Sequence, residues 1–157
     1  MYFYTSDEDP ALIARKMEIS DNVIPASNSV MAHNLLFLGE YFYEESMIEA
    51  SKQMLSNVIP DLTEGRTSFY YSNWNSLTTW FNHTPYEIAI VGNDYESLRA
   101  ELDQNYLPNA LLMGGSQEGD LPLLENKLRE GHTMIYVCRN KSCKLPVNSV
   151  EQALNQL

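Results

Sequence analysis

Two short stretches hold the residue types that could do chemistry. The first is "ARKMEISDNVIPASNS", residues 14–29, which gathers Arg15, Lys16, Glu18, Asp21, Ser27, Asn28 and Ser29 just ahead of an apolar helix. Carboxylates beside hydroxyl, amide and guanidinium groups suit the rim of a pocket for a polar ligand. Glu18 and Asp21 could supply one half of a paired acid–base site. The same residues have a plainer reading. Ser27 or Asn28 would cap the helix, worth about 1 kcal/mol, and Arg15 would form an ion pair with Glu18 or Asp21.

The second stretch is "YVCRNKSCKLPV", where Cys138 and Cys143 lie among Arg139, Lys141 and Lys144 with no acid nearby. Neighbouring cations favour thiolates, so a redox-responsive turn is one reading. The other is that Cys138 ends a buried strand and Cys143 packs in a loop. The spacing is not that of a CxxC redox site, and no second pair completes a metal site, so no metal or other cofactor is expected. The three histidines assemble no motif. His33 reads as a satisfied core histidine, and His83 and His132 find neither a Ser-His-Asp order nor a Cys partner.

The elements that would position these residues change character near Pro85. Before it, apolar residues recur at helical spacing; after it, short β-rich runs alternate with helices. "MYFYT" alternates like a strand, and "DPALIARKMEI" offers Asp9 and Pro10 as a helix start. A helix follows Ser27 or Asn28, with Val30, Phe37 and Tyr41 in one row, Met31, Leu35, Leu38 and Phe42 in another, and Ala32 and Leu36 in part of the remaining arc. So wide an apolar arc predicts burial between neighbours. Helices over about 46–59 and 68–81 follow, the first joined to its predecessor by a short link that predicts a helical hairpin. "YEIAIVG", "NALLMGG" and "HTMIYVC" read as strands. "DYESLRAELDQNY", "LPLLENKLRE" and "VNSVEQALNQL" read as helices between and after them. No GxGxxG or P-loop pattern follows the first strand, and Asp94 at the helix start would repel a phosphate. "GGS", Gly114 to Ser116, could cradle an anion after the second strand, but two acids follow in "QEGD", and its glycines read as turn residues.

A chain of 157 residues with 44% hydrophobic content can bury a core. Its net charge of −11 disfavours nucleic acid and anionic membrane surfaces as partners. The ten Tyr, five Phe and two Trp are sugar-stacking surfaces or, more plainly, core. No apolar run is long enough to span a membrane. The opening "MYFYTSDEDP" lacks the charged and apolar regions of a secretory leader, so the cytosol is the expected compartment.

Three anchors give the chain a resemblance. They are the R-x-x-E-x-x-D-x-x-x-P-x-x-N-S-V run from Arg15 to Val30, "EIAIVG" followed by "LPN", and the terminal "YVCRNKSCKLPV". Together they resemble the late portion of a family of long cytosolic proteins that begin with a thioredoxin-like domain and continue into an (α/α)6 barrel. The family includes bacterial members and the mammalian spermatogenesis-associated thioredoxin-like proteins. Its barrel is similar to those of N-acylglucosamine 2-epimerases and six-hairpin glycosidases. "PASNS" departs from the family, where many relatives carry Gly before the Asn.

The resemblance implies a helical-hairpin portion of an (α/α) barrel over residues 1–84, then a small parallel or mixed sheet with flanking helices over 85–157. It implies a C-terminal piece of a longer protein, linked to carbohydrate binding or processing and inactive alone. Arg15, Glu18, Asp21, Ser27, Asn28 and Ser29 would then stand at the barrel mouth, where related barrels bind sugars. The rest of the parent chain, a sugar, and a second copy meeting through exposed apolar surface are the partners it suggests. The alternative functions are a redox-linked module using Cys138 and Cys143, docked on the thioredoxin-like domain, and a purely structural cap. The residues name no catalytic group and no reaction.

Overall fold

Near-continuous apolar strands need cover on both faces, and in the computed structural model those from Tyr86 onward find it within a unit of their own. The structure describes residues 1–10, 13–63 and 68–157. The chain divides into two compact units, Met1–Asn82 and His83–Leu157, each with its own hydrophobic core.

The first unit contains α1 (Ser27–Phe42), α2 (Glu45–Thr63), a 3-10 turn (Ser68–Tyr71) and α3 (Ser72–Asn82). They close on Ala32, Leu36, Met54, Leu55, Val58, Trp74 and Leu77. The expected barrel portion is not formed. The wide apolar arc of α1 misled that expectation, because the buried arc is the one with small residues: Asn28, Ser29, Ala32, Leu36 and Gly39. A small-residue face lets α2 come close. The Ser51 hydroxyl donates to the Ala32 carbonyl at 2.7 Å, and a Cβ on Gly39 would lie 2.6 Å from Ile48 Cγ1. The large side chains Val30, Met31, Leu38 and Phe42 lie outside, 39–49% exposed. So α1 is not buried between neighbours on most sides.

Two further expectations fail in this unit. "MYFYT" forms no strand: the Asn28 side chain, not a neighbouring strand, takes both backbone groups of Tyr2. The helix expected from Pro10 is absent over residues 13–19, and residues 11–12 lie outside the described ones.

The second unit contains β1 (Tyr86–Val91), α4 (Tyr95–Leu102), β2 (Ala110–Gly115), a 3-10 turn (Pro122–Leu124), β3 (Met134–Arg139), β4 (Ser142–Cys143) and α5 (Val150–Leu154). The four strands make one mixed sheet in the order β2-β1-β3-β4. β1 and β2 are parallel, and the other pairs are antiparallel. Ile88, Ile90, Ile135 and Val137 form one core with Leu102, Val150 and Ala153. Ser149 caps α5, its hydroxyl accepting from Gln152 N.

"LPLLENKLRE" is not a helix. After the single 3-10 turn, Asn126 takes a left-handed φ of 60° and ends it, leaving Leu123 and Leu124 buried. The Glu118 carboxylate then holds the following loop, accepting from Leu128 N at 2.7 Å. That backbone donor, helped by those of Asn126 and Lys127, keeps the Glu118 carboxyl below its usual range.

Candidate functional site

The C-terminal hairpin begins as a run that a buried strand requires, Ile135 to Cys138, and then turns sharply. Asn140 (φ 52°) and Lys141 (φ 63°) are both left-handed, the signature of a two-residue type I′ turn, whose twist matches that of the flanking strands. Such a turn sets residues three and five apart face to face, so Arg139 pairs with Ser142 and Cys138 with Cys143. Cys138 and Cys143 are joined by a disulfide. Cys138 is 1% exposed, whereas Cys143 lies at the surface. The reading of Cys143 as a side chain packed in a loop is therefore corrected: it sits on β4, bonded to its cross-strand partner.

The cations that adjoin the pair in sequence turn to the other face of the sheet. The Arg139 guanidinium lies 5.1 Å from the Tyr86 ring centre. Lys144 N donates to the Val137 carbonyl at 2.9 Å, and its ammonium reaches the Gln156 carbonyl. Sequence reasoning missed the group opposite them. Glu87, on β1, is the register partner of Cys138 and is 3% exposed. Its Oε2 accepts from Lys141 N at 3.0 Å, so a buried carboxylate ties the cysteine turn to the sheet. The available signal was a single acid inside the apolar run "YEIAIVG".

The polar segment of the first unit is organised around Asp21, which is 3% exposed. Its Oδ1 accepts from Ala26 N and from the Ser29 hydroxyl, each at 2.9 Å, and its Oδ2 accepts from Asn73 N at 2.9 Å. One carboxylate thus serves the N-terminal ends of both α1 and α3, where negative charge is favoured. Asn28 is buried between Tyr2 and the Glu18 carbonyl, to which its amide donates at 2.9 Å. Capping of α1 by Ser27 or Asn28 is replaced by caps from upstream, since Ala26 is the cap position and Glu18 Oε2 accepts from Ser27 N at 2.9 Å. Arg15 is not drawn into this group. It is exposed, stacks over Phe3 at 4.3 Å and donates to the Thr5 carbonyl at 2.8 Å. Among the described residues the ion pairs are Lys52–Glu49 and Arg99–Asp103, so the expected pairing of Arg15 with Glu18 or Asp21 is not formed.

Glu18 and Asp21 line an open cleft of about 550 Å³ with Ser20, Asn22, Asp61 and Tyr70. Ser27, Asn28 and Ser29 are not among its walls. His33 is half-buried, its Nε2 3.0 Å from the Asn73 carbonyl, as a satisfied histidine should be.

A second opening, about 470 Å³, lies beyond the carboxyl ends of β1 and β2 and is lined by Asp94, Ser116, Arg129, Glu130 and His132, among others. Parallel strands commonly place ligands there. Here acids and bases alternate around it, so its charge selects neither anion nor cation. Asp94 makes no side-chain cap; its N–H donates to Thr133 Oγ1 at 3.0 Å.

No group of three or more His, Cys, Asp or Glu among the described residues could hold a metal ion. No helix among them is long and apolar enough to cross a membrane. No family model, no curated protein and no solved structure matches the chain.

Proposed function

We propose that the second unit is a thiol–disulfide module whose Cys138–Cys143 pair exchanges with partner thiols in the cytosol. The observation that carries this is a bonded cysteine pair with one member buried and the other at the surface of a basic turn. An incoming thiolate attacks Sγ of Cys143, forming a mixed disulfide. The Cys138 sulfur leaves with the electron pair and is protonated. A second thiol of the partner then attacks the mixed disulfide, releasing the Cys143 thiol and oxidising the partner.

The basic segment Arg139 to Lys144 gives this end of an otherwise acidic chain a positive charge that steers an anionic thiolate at long range. The short β4 strand pairs with β3 at two register positions, one of them the bonded pair, so opening the bond loosens the tip of the hairpin while Lys144 N and Val147 keep the returning segment on β3. In a reducing compartment, disulfides of this kind act transiently or as sensors. A thioredoxin-like domain, which the resemblance supplies, is the partner of matching chemistry.

Trapping tests the direction of attack. A thioredoxin-class protein whose resolving cysteine is replaced by serine should form a covalent adduct with the oxidised chain, mapped by mass spectrometry to Cys143. An adduct at Cys138, or no adduct while the chain stays folded, refutes the proposal.

A further inference from the structure

We propose that Glu87 is the proton carrier for the Cys138–Cys143 pair, an inference that rests on the thiol–disulfide reading. In an antiparallel pair, directly opposed residues share a face of the sheet, with Cβ atoms about 4.5–5.5 Å apart. Glu87 opposes Cys138, and Cys138 opposes Cys143. The three therefore form a row across β1, β3 and β4, on the face opposite the Ile88, Ile90, Ile135 and Val137 core.

Glu87 lies among mostly apolar neighbours on this face. Leu111 opposes it on β2, and Ala89 follows it two positions along β1, opposite Tyr136. The titratable and charged groups facing it are Cys138 and Tyr136 from β3, Cys143 from β4 and Lys141 from the turn. Lys127 lies beyond, its ammonium 5.2 Å from the Tyr136 ring centre. A carboxylate 3% exposed is costly to bury, and one backbone N–H at 3.0 Å offsets only part of that cost. The donor is Lys141, which lies between the two cysteines, so the acid is tied to the segment that moves when the bond opens.

The chemistry requires such a group. When the bond opens, the buried Cys138 sulfur leaves as a thiolate away from water, where burial disfavours its charge. The balanced step is attack of an external thiolate on Cys143 Sγ, cleavage of the S–S bond, and delivery of one solvent proton to Cys138 Sγ by way of the Glu87 carboxylate. The products are the mixed disulfide, a neutral Cys138 thiol and a Glu87 carboxylate. Closure runs in reverse. Glu87 takes the Cys138 proton, the sulfur attacks the mixed disulfide at Cys143, and the external thiolate departs.

The test is closure of the reduced full chain by oxidised glutathione, followed by acid quenching and mass spectrometry from about pH 5 to about pH 9. Glu87→Gln keeps an oxygen to accept from Lys141 N while removing the proton-carrying function. Closure of the glutathione adduct should slow about 100-fold near neutral pH, as loss of a general base does. Its rate should then rise in proportion to hydroxide, without the wild-type plateau. Superimposable profiles for the two proteins overturn the proposal and leave the thiol–disulfide reading standing. Absence of any glutathione adduct on the folded wild type overturns both. The wild type gives a second readout that needs no variant. Its reduced-minus-oxidised infrared difference spectrum should contain a carboxyl or carboxylate band from a group whose surroundings change as the bond opens, and a spectrum without one counts against Glu87.

Discussion

Asp21→Ala should destabilise the first unit by roughly 3–5 kcal/mol, more than any other single change in the polar segment. The carboxylate accepts from Ala26 N, Asn73 N and the Ser29 hydroxyl. The hydroxyl has a second acceptor in the Ala26 carbonyl at 2.9 Å, but the two backbone donors would be orphaned. Hydrogen bonds to a charged acceptor contribute about 1.5–3 kcal/mol each. The loss would be felt at two helix starts together, because Ala26 precedes α1 and Asn73 lies in the first turn of α3. Both tryptophans, Trp74 and Trp80, lie in this unit, so denaturant unfolding followed by their fluorescence reports it selectively. Glu18→Ala is the control. Its carboxylate caps Ser27 N from an exposed position and should cost about 0.5–1 kcal/mol. Equal costs for the two variants would show that Asp21 is not the organising group.

In the second unit the largest effect should come from Gly114→Ala. Gly114 pairs with Ile90 across the parallel β1–β2 contact, and a Cβ there would lie 2.0 Å from the Ile90 carbonyl oxygen. The obstacle is backbone, so the strands must part or shift register, at a cost of about 3 kcal/mol or more. For a unit of this size each kcal/mol lowers Tm by roughly 4–8 °C, which predicts a fall of about 12–24 °C. Gly119→Ala isolates the other property of glycine. It too lacks a side chain, at φ 63°, but nothing lies within 4 Å of its added Cβ. That variant should lose only about 1–2 kcal/mol from the left-handed conformation. Hydrogen exchange at the Ile88 and Ile90 amides distinguishes them, with protection lost in Gly114→Ala and kept in Gly119→Ala.

Much of the second unit is legible because burial on both sheet faces writes itself as uninterrupted apolar residues. "EIAIV", "ALLM" and "MIYVC" become β1, β2 and β3, and Ser149 marks the start of α5. The cysteine pairing is legible only after the turn is recognised. A C-x4-C spacing opposes its cysteines when Asn140 and Lys141 alone form the turn, and a lysine in the left-handed region is a weak advertisement for one.

In the first unit, α1 shows the opposite problem. Its apolar residues spread over a wide arc that predicts burial on most sides, whereas helix approach is governed by how small the facing residues are, as at Ala32 and Gly39. In sequence the polar cluster before it is one group. The structure separates it into Asp21, Asn28 and Ser29, buried in internal hydrogen bonds, and Arg15, Glu18 and Ser27 at the surface. Which lone pairs are consumed depends on Asn73, far along the chain, and no local pattern contains that information.

The most direct test of the thiol–disulfide account is a redox titration of the folded chain in dithiol buffers of graded potential. Alkylation of Cys138 and Cys143 would be counted by mass spectrometry while the Ile88 and Ile90 amides are followed by hydrogen exchange. The account predicts that both thiols become alkylated together in one two-electron transition, with the β1 amides still protected. A pair that yields no alkylated thiol until that protection is lost would contradict it and make the bond a purely structural clasp.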